Sequence, residues 1–128
     1  MTSITDAYLT PHIKTYIESF LSNFDANFDR DKLYFMQSDG GLTDVNSFSG
    51  CRSILSGPAG GVIGYSLTTV KDIGLDKPII GFDMGGTSTD VSRYNGRFEH
   101  KFESVTAGVT IQSPQLGFFY FQICLIAT

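Results

Sequence analysis

The segment spanning residues 82–92, Phe-Asp-Met-Gly-Gly-Thr-Ser-Thr-Asp-Val-Ser, constrains the fold of this chain more than any other part of the sequence. The apolar residues 78–83 predict a strand that ends at Asp83. Gly85 and Gly86 then predict a tight turn, because residues without a Cβ let the backbone come close to a neighbour or a ligand. Residues 87–94 predict a second strand. The pattern is therefore strand, glycine turn, strand, with an aspartate at the end of the first strand.

A loop of this composition is typical of a phosphate-binding site. The backbone N–H groups of Gly85 and Gly86 can approach phosphate oxygens, and the hydroxyls of Thr87 and Ser88 can add further donors. Asp83, beside those phosphates, is placed to hold Mg²⁺ directly or through water. The alternative is a β-turn that binds no ligand. The strands on both sides of the loop favour binding of a nucleoside triphosphate.

The chain before this loop predicts one long helix, one strand and a second helix. Apolar residues at three- and four-residue spacing predict a helix over residues 3–24, and Thr10 and Pro11 suit a cap and a first helical position. Residues 33–36 predict a short buried strand, whereas residues 42–55 fit no single element. A second helix is expected over residues 56–67, starting at Ser56. Its glycines suggest close approach to another backbone or to a ligand.

After the loop, a hairpin is the strongest expectation. Residues 71–77 are interpreted as a linker to the first strand of the loop motif. Asn95 and Gly96 predict a turn that joins strands 87–94 and 97–104, since both positions tolerate positive φ. Phe98, His100 and Phe102 would share one face of the second strand, which predicts a half-buried, non-catalytic histidine. Residues 108–112 predict another strand.

Charge and composition exclude several classes of partner. The chain carries 9 Lys and Arg against 13 Asp and Glu, and these positive charges are scattered, whereas nucleic-acid binding needs them clustered. No apolar run reaches the roughly 18 residues of a membrane-spanning helix, and no signal-peptide pattern is present at residues 1–6. Cys51 and Cys124 form no CxxC pair, which predicts reduced thiols in a cytosolic protein. We expect no nucleic-acid and no membrane partner.

Two levels of resemblance follow from these motifs. The loop at 82–92 resembles the second phosphate loop of Hsp70-type ATPases. Four segments together, residues 6–11, 35–42, 54–62 and 81–92, resemble the 5-oxoprolinase/hydantoinase A family in order and spacing. The stretch from 92 to 112 is most similar to the eukaryotic 5-oxoprolinases of that family.

The resemblance implies an α/β fold of the actin/Hsp70/sugar-kinase (ribonuclease H-like) type at the junction of two halves. Residues 1–70 would then end the first half and include the helix between the halves. Residues 78–116 would begin the second half with its phosphate loop and hairpin. The uncharged, aromatic residues 117–128 do not resemble the family and are expected to lie outside the domain.

The resemblance also implies a reaction, in which ATP and Mg²⁺ are used to open 5-oxo-L-proline or a related cyclic amide, giving L-glutamate from 5-oxo-L-proline. In that scheme Asp83 and Asp90 are the candidate catalytic residues. Asp90 would orient the loop or a water molecule, or equally would hydrogen-bond the turn backbone. Asp39, followed by two glycines, is a weaker candidate, and Cys51 is expected to be structural.

Three functional alternatives stay open at this point. The chain is a fragment of an oxoprolinase, a relative of N-methylhydantoinase or acetone-carboxylase type, or a truncated product without catalysis. The parent protein is expected to be a homo-oligomer. Since one phosphate loop of the expected two is present, the fragment alone is expected to be inactive.

Overall fold

Both helices and strands form in this chain, which confirms the mixed α/β character predicted from the sequence. The coordinates come from a computed structural model. They describe residues 1–25, 27–74, 77–85, 89–106 and 108–117.

The helices lie before most of the strands in the described ranges. The α-helices are α1 (Thr2–Leu21), α2 (Gly50–Ser53) and α3 (Ser56–Ile73), with a 3-10 turn at Arg30–Lys32. The strands are β1 (Tyr34–Met36), β2 (Leu42–Asp44), β3 (Ile79–Met84), β4 (Thr89–Tyr94), β5 (His100–Lys101), β6 (Ser104–Thr106), β7 (Val109–Ile111) and β8 (Gln115–Leu116). They form two-stranded antiparallel pairs, β1 with β2, β3 with β4, β5 with β8 and β6 with β7.

Helix α1 forms close to the predicted range of 3–24, beginning at Thr2 and ending at Leu21. The roles expected for Thr10 and Pro11, as its cap and first helical position, are wrong, because the helix runs through both residues and Pro11 lies inside it. The first half of α1 packs against α2, with hydrogen bonds from α2 to Asp6 and Thr10, and this contact supports a helical turn upstream of the proline. Thr10 instead caps α2, since its hydroxyl accepts a hydrogen bond from the N–H of Gly50, the first residue of α2, at 3.0 Å.

Strand β1 forms where it was expected and is half-buried rather than fully buried. Tyr34 is 57% exposed, whereas Phe35 packs against buried residues of α1 and Met36 against buried residues of α3. The undecided region 42–55 contains β2 and α2. Helix α3 begins at Ser56 as predicted and continues to Ile73, so it includes the first residues of the expected linker.

The predicted hairpin around Asn95 and Gly96 is wrong. Gly96 has the expected positive φ of 76°, but β4 pairs along its whole length with β3, from Ile79–Tyr94 to Met84–Thr89. After the turn, β5 pairs with β8, which is distant in sequence. The turn dipeptide determines only the local backbone angles. The pairing of β5 with β8 goes with the burial of apolar side chains, since Leu116 of β8 packs with the buried residues Ala59 and Val62 of α3.

The aromatic face expected on the second strand of that hairpin is only partly buried. Phe98 packs against the cluster around Ala59 and Val62, but Phe102 is 71% exposed. His100 is exposed as well, so the prediction of a half-buried histidine is wrong. The predicted strand at 108–112 is confirmed as β7, which pairs with β6.

Two apolar clusters form the described core. One joins α3 to β8 through Ala59, Val62 and Leu116. The other joins α1 to the segment before α2 through Ile17, Leu21 and Phe48. Within the described ranges, none of the helices combines the length and apolar character needed to cross a membrane.

Candidate functional site

The β3–β4 pair brings the two candidate catalytic carboxylates together. Asp83 and Asp90 are directly opposite each other in the antiparallel register, so their side chains share one face of the pair. Both residues line a groove of about 350 Å³ between this face and α3. Asp83 is exposed and Asp90 is half-buried, so both carboxylates can meet a ligand that enters from solvent.

Helix α3 forms the opposite wall of the groove. Gly61 faces Asp83 there, since a Cβ built on Gly61 would lie 3.8 Å from Oδ2 of Asp83. Its small size keeps the wall open beside the carboxylate. The sequence predicted that glycines of this helix lie close to a neighbouring group, and Gly61, which lies close to Asp83, confirms that prediction. It does not hold for Gly57 and Gly64, which have no neighbour within 4 Å of a built Cβ in the described structure.

A tyrosine and a strand glycine set the spacing between helix and strands. The ring of Tyr65 lies on the backbone of Gly81, where a Cβ would be 2.6 Å from Cδ1 of the ring. At the far end of the ring, Oγ of Ser92 donates a hydrogen bond to the Tyr65 hydroxyl at 3.0 Å. Tyr65 thus contacts both strands of the pair, and it was not among the residues singled out in the sequence. The signal available was Gly81 itself, because a glycine inside a strand often marks close approach of another group.

The expected phosphate cradle is described only in part. Gly85 lies exposed just after β3. Gly86, Thr87 and Ser88 fall outside the described residues, so their contribution stays a prediction. The described part of the motif is the pair of strands on either side of the loop, with an aspartate on each.

The weaker candidate, Asp39, has a structural contact. Its Oδ1 accepts a hydrogen bond from the Gly41 N–H at 2.9 Å, which closes the turn between β1 and β2. The neighbouring Ser38 is 2% exposed, and its hydroxyl donates to the Arg52 carbonyl and accepts from the Leu55 N–H. This loop therefore holds the junction of α2 and α3, and Asp39 is not among the residues that line the groove.

The donor set in the groove fits Mg²⁺ better than a metal that needs a full protein cage. Among the described residues, no group of three or more His, Cys, Asp or Glu side chains converges on one point. Mg²⁺ is usually held by one or two carboxylates, with water and substrate phosphates completing its shell. Asp83, with Asp90 across from it, matches that requirement.

Cys51 is buried, in keeping with the structural role expected for it. The residue is 6% exposed, and its thiol donates a hydrogen bond to the Thr2 carbonyl at 3.3 Å. Burial raises the pKa of the Cys51 thiol above its ordinary value, and the nearby Asp6 carboxylate raises this pKa further. A raised pKa disfavours the thiolate, the form that acts as a nucleophile. Cys51 therefore has the properties of a packing residue.

Comparison with known proteins shows which family carries these features. The sequence matches the hydantoinase/oxoprolinase family over residues 1–118. The chain belongs to this family. The match confirms the resemblance predicted from the four motifs, and it includes α3, the β3–β4 pair and the groove between them.

The relatives in the hydantoinase/oxoprolinase family are much longer proteins. A 5-oxoprolinase of Saccharomyces cerevisiae is 61% identical over 116 residues, 90% of this chain and 9% of the relative. A 5-oxoprolinase of Dictyostelium discoideum is 58% identical over 127 residues, 91% of this chain and 10% of the relative. The 5-oxoprolinase 1 of Arabidopsis thaliana is 55% identical over 116 residues, 91% of this chain and 9% of the relative. The chain spans about a tenth of the length of these relatives.

Proposed function

We propose that this chain supplies one part of the nucleotide-binding centre of an ATP-dependent hydrolase that opens small cyclic amides of the 5-oxo-L-proline type. The observation that carries the proposal is the pairing of Asp83 with Asp90 at the two ends of a glycine-containing loop. The groove beside this pair supports it, since it gives a ligand access to both carboxylates. The substrate class rests on the relatives named 5-oxoprolinase.

Each residue of the loop motif has a separate task in this proposal. Asp83 holds Mg²⁺, and the backbone N–H groups of Gly85 and Gly86 bind phosphate oxygens. The hydroxyls of Thr87 and Ser88 add donors to the same oxygens. Bound ATP would supply the phosphoryl group that activates the unreactive amide.

Asp90 has a different position from the residues of the cradle. It lies across from Asp83 and is half-buried, so its carboxylate is held near the loop while still reaching solvent. We assign it to orienting the attacking water. A carboxylate fixed by a strand can hold a water molecule in one direction, which lowers the entropic cost of the reaction.

The same elements support a nucleotide fold of the actin/Hsp70/sugar-kinase type. In such folds a strand that ends in aspartate, a glycine turn and a second strand form a phosphate loop. Here β3 and β4 provide this arrangement, and α3, rich in small residues, packs on one face of the pair. The competing substrate class is that of the N-methylhydantoinases or acetone carboxylases. The names of the relatives at 55–61% identity favour 5-oxoproline.

Titration of the isotope-labelled chain with Mg-ATP tests the nucleotide part of the proposal. We expect the amide signals of Asp83, Gly85 and Asp90 to shift, with a dissociation constant on the order of 1 mM or weaker. Asp83→Asn should weaken Mg-ATP binding about tenfold, because one carboxylate ligand of the metal is lost. Asp31→Asn, on the exposed 3-10 turn, makes the same change of charge elsewhere and should leave binding unchanged.

Two results would contradict the nucleotide proposal. One is a set of Mg-ATP shifts that avoids β3 and β4. The other is an Asp83→Asn chain that binds Mg-ATP as tightly as the unaltered chain. We propose that catalytic turnover requires a polypeptide of the relatives' length. We therefore expect no 5-oxoproline-dependent phosphate release from these 128 residues alone.

A further inference from the structure

The hydroxyls of Tyr65 and Ser92 form an isolated pair inside the groove. They are 3.0 Å apart, Ser92 is 7% exposed, and both residues line the groove. Within the described part of the chain, neither hydroxyl makes a second hydrogen bond. Whichever oxygen donates the shared proton, the pair keeps one unused O–H donor and one unused acceptor lone pair side by side.

An adjacent donor and acceptor match the edge of a cyclic amide. In a small lactam the ring forces the amide to be cis, so its N–H and C=O leave the same edge of the molecule. Open-chain secondary amides are almost entirely trans, and their N–H and C=O point in opposite directions. One hydroxyl pair can therefore bond both groups of a lactam but only one group of an open-chain amide.

The rest of the groove suits a small ring. Its volume of about 350 Å³ is sufficient for a five-membered ring with a substituent. Pro58, Val62 and Ile79 provide apolar walls for the ring carbons. Among the described residues that line the groove there is no Lys, Arg or His, so we place a carboxylate carried by the ring towards the open side.

The location relative to Asp83 connects this groove with the reaction. Asp83 and the Tyr65–Ser92 pair line one continuous space. Ser92 lies two residues from Asp90 along β4, and Gly81, against which the Tyr65 ring packs, lies two residues from Asp83 along β3. A lactam held there would lie near the loop that we assign to phosphate.

We infer that the groove between α3 and the β3–β4 pair is the subsite for the cyclic amide, recognised at its cis-amide edge by Tyr65 and Ser92. This inference rests on the proposed function for its substrate class. It assigns binding of the lactam to residues outside the phosphate loop. Tyr65 and Ser92 thereby become the residues that distinguish cyclic from open-chain amides.

Ligand titrations of the isotope-labelled chain without nucleotide test this subsite. The probes are 2-pyrrolidinone and 5-oxo-L-proline, with N-methyl-2-pyrrolidinone, which lacks the N–H, and N-methylacetamide, a small trans amide, as controls. We expect the two lactams to shift the amide signals of Gly61, Tyr65, Gly81 and Ser92. The two control compounds should bind at least about tenfold more weakly, because each can form only one of the two hydrogen bonds.

Two variants separate recognition from folding. Tyr65→Phe and Ser92→Ala each remove one hydroxyl and keep most of the packing, and each should weaken 2-pyrrolidinone about tenfold. N-methylacetamide should lose less affinity in both variants. The comparison of the four probes on the unaltered chain remains decisive if either variant fails to fold.

Three outcomes would overturn the subsite: lactam shifts outside the groove, equal affinity for all four probes, or unchanged 2-pyrrolidinone affinity in a folded Tyr65→Phe chain. A failure of the nucleotide proposal would appear in a different experiment, the Mg-ATP titration, which reports on Asp83, Gly85 and Asp90. A chain that binds lactams here but not Mg-ATP would keep the subsite and remove the loop assignment.

Discussion

The carboxylate of Asp6 in α1 accepts a hydrogen bond of 2.9 Å from the backbone N–H of Cys51, which lies in α2, 45 residues later in the chain. One helical turn further, the Thr10 hydroxyl accepts from the Gly50 N–H at 3.0 Å. Two residues at i and i+4 on α1 therefore satisfy the first two N–H groups of α2. A four-residue helix has no other means of satisfying them within itself, so α2 depends on α1 for its N-terminal cap.

Replacing Asp6 with alanine should therefore destabilise the whole chain. We expect Asp6→Ala to lower the free energy of unfolding by about 1–2 kcal/mol, the usual cost of losing a capping side chain. Urea denaturation followed by circular dichroism measures this change. Asp31→Ala is the matched control, since Asp31 is exposed on the 3-10 turn and should change the free energy by less than about 0.5 kcal/mol. Equal losses in both variants would contradict the capping role.

The thiol of Cys51 should react slowly and in a pH-dependent manner. Its pKa is raised by burial and by Asp6, so the folded chain holds the proton more tightly than the unfolded chain. The contribution of the protonated Cys51 thiol to the stability of the folded chain is thus complete below the unfolded pKa of about 8.5. This contribution is lost as pH rises through the higher folded pKa. In a Cys124→Ser background, iodoacetamide labelling at pH 7 should be at least about tenfold slower in buffer than in urea. Labelling at the same rate in both would show that Cys51 is accessible and ionised.

Local patterns in the sequence predicted several elements correctly, since those elements depend on neighbouring residues. The start of α3 at Ser56 is one example, because a serine followed closely by a proline and small residues favours a helix start, although Leu55 and not Ser56 holds the N-cap position. Pairing between strands was predicted less well. Gly96 adopts its expected positive φ, yet β4 pairs with β3 because partner choice depends on contacts distant in sequence.

For the candidate site, the sequence singled out the two carboxylates but not the tyrosine that contacts both strands. Asp83 and Asp90 were identified because both flank a recognisable loop, and the structure brings them opposite each other. The role of Tyr65 could not be read from spacing, since its contacts with Gly81 and Ser92 join elements separated by 16 and 27 residues. Only the glycine within β3 indicated that a large group lies against that strand.

Two fully buried serines should respond very differently to the same substitution. Ser38 is 2% exposed, and its hydroxyl joins the Arg52 carbonyl to the Leu55 N–H between α2 and α3. Ser66 is 1% exposed, but among the described residues its hydroxyl bonds only the Ile63 carbonyl, in its own helix. Ser38→Ala should cost about 1–3 kcal/mol, because it leaves the partly buried Leu55 N–H without this partner.

Ser66→Ala should change the free energy of unfolding by less than about 1 kcal/mol, since the Ile63 carbonyl retains its place in the helix and alanine favours helix formation. Thermal or urea unfolding of both variants measures the difference. Equal stability of the two variants would contradict the proposed role of the Ser38 hydroxyl in joining α2 to α3.

The contact between Tyr65 and Gly81 predicts opposite effects for two glycine-to-alanine changes. A methyl group at position 81 would overlap the Tyr65 ring, so we expect Gly81→Ala to cost about 1–3 kcal/mol through overpacking. Gly64, on the exposed side of α3, has no neighbour within 4 Å of a built Cβ. Gly64→Ala should therefore stabilise the chain by up to about 1 kcal/mol through helix propensity. A double-mutant cycle then tests the mechanism: in a Tyr65→Ala background, Gly81→Ala should lose most of its cost, because the overlapping ring is absent. If Gly81→Ala costs the same with and without the ring, the strand glycine is required for a reason other than the approach of Tyr65.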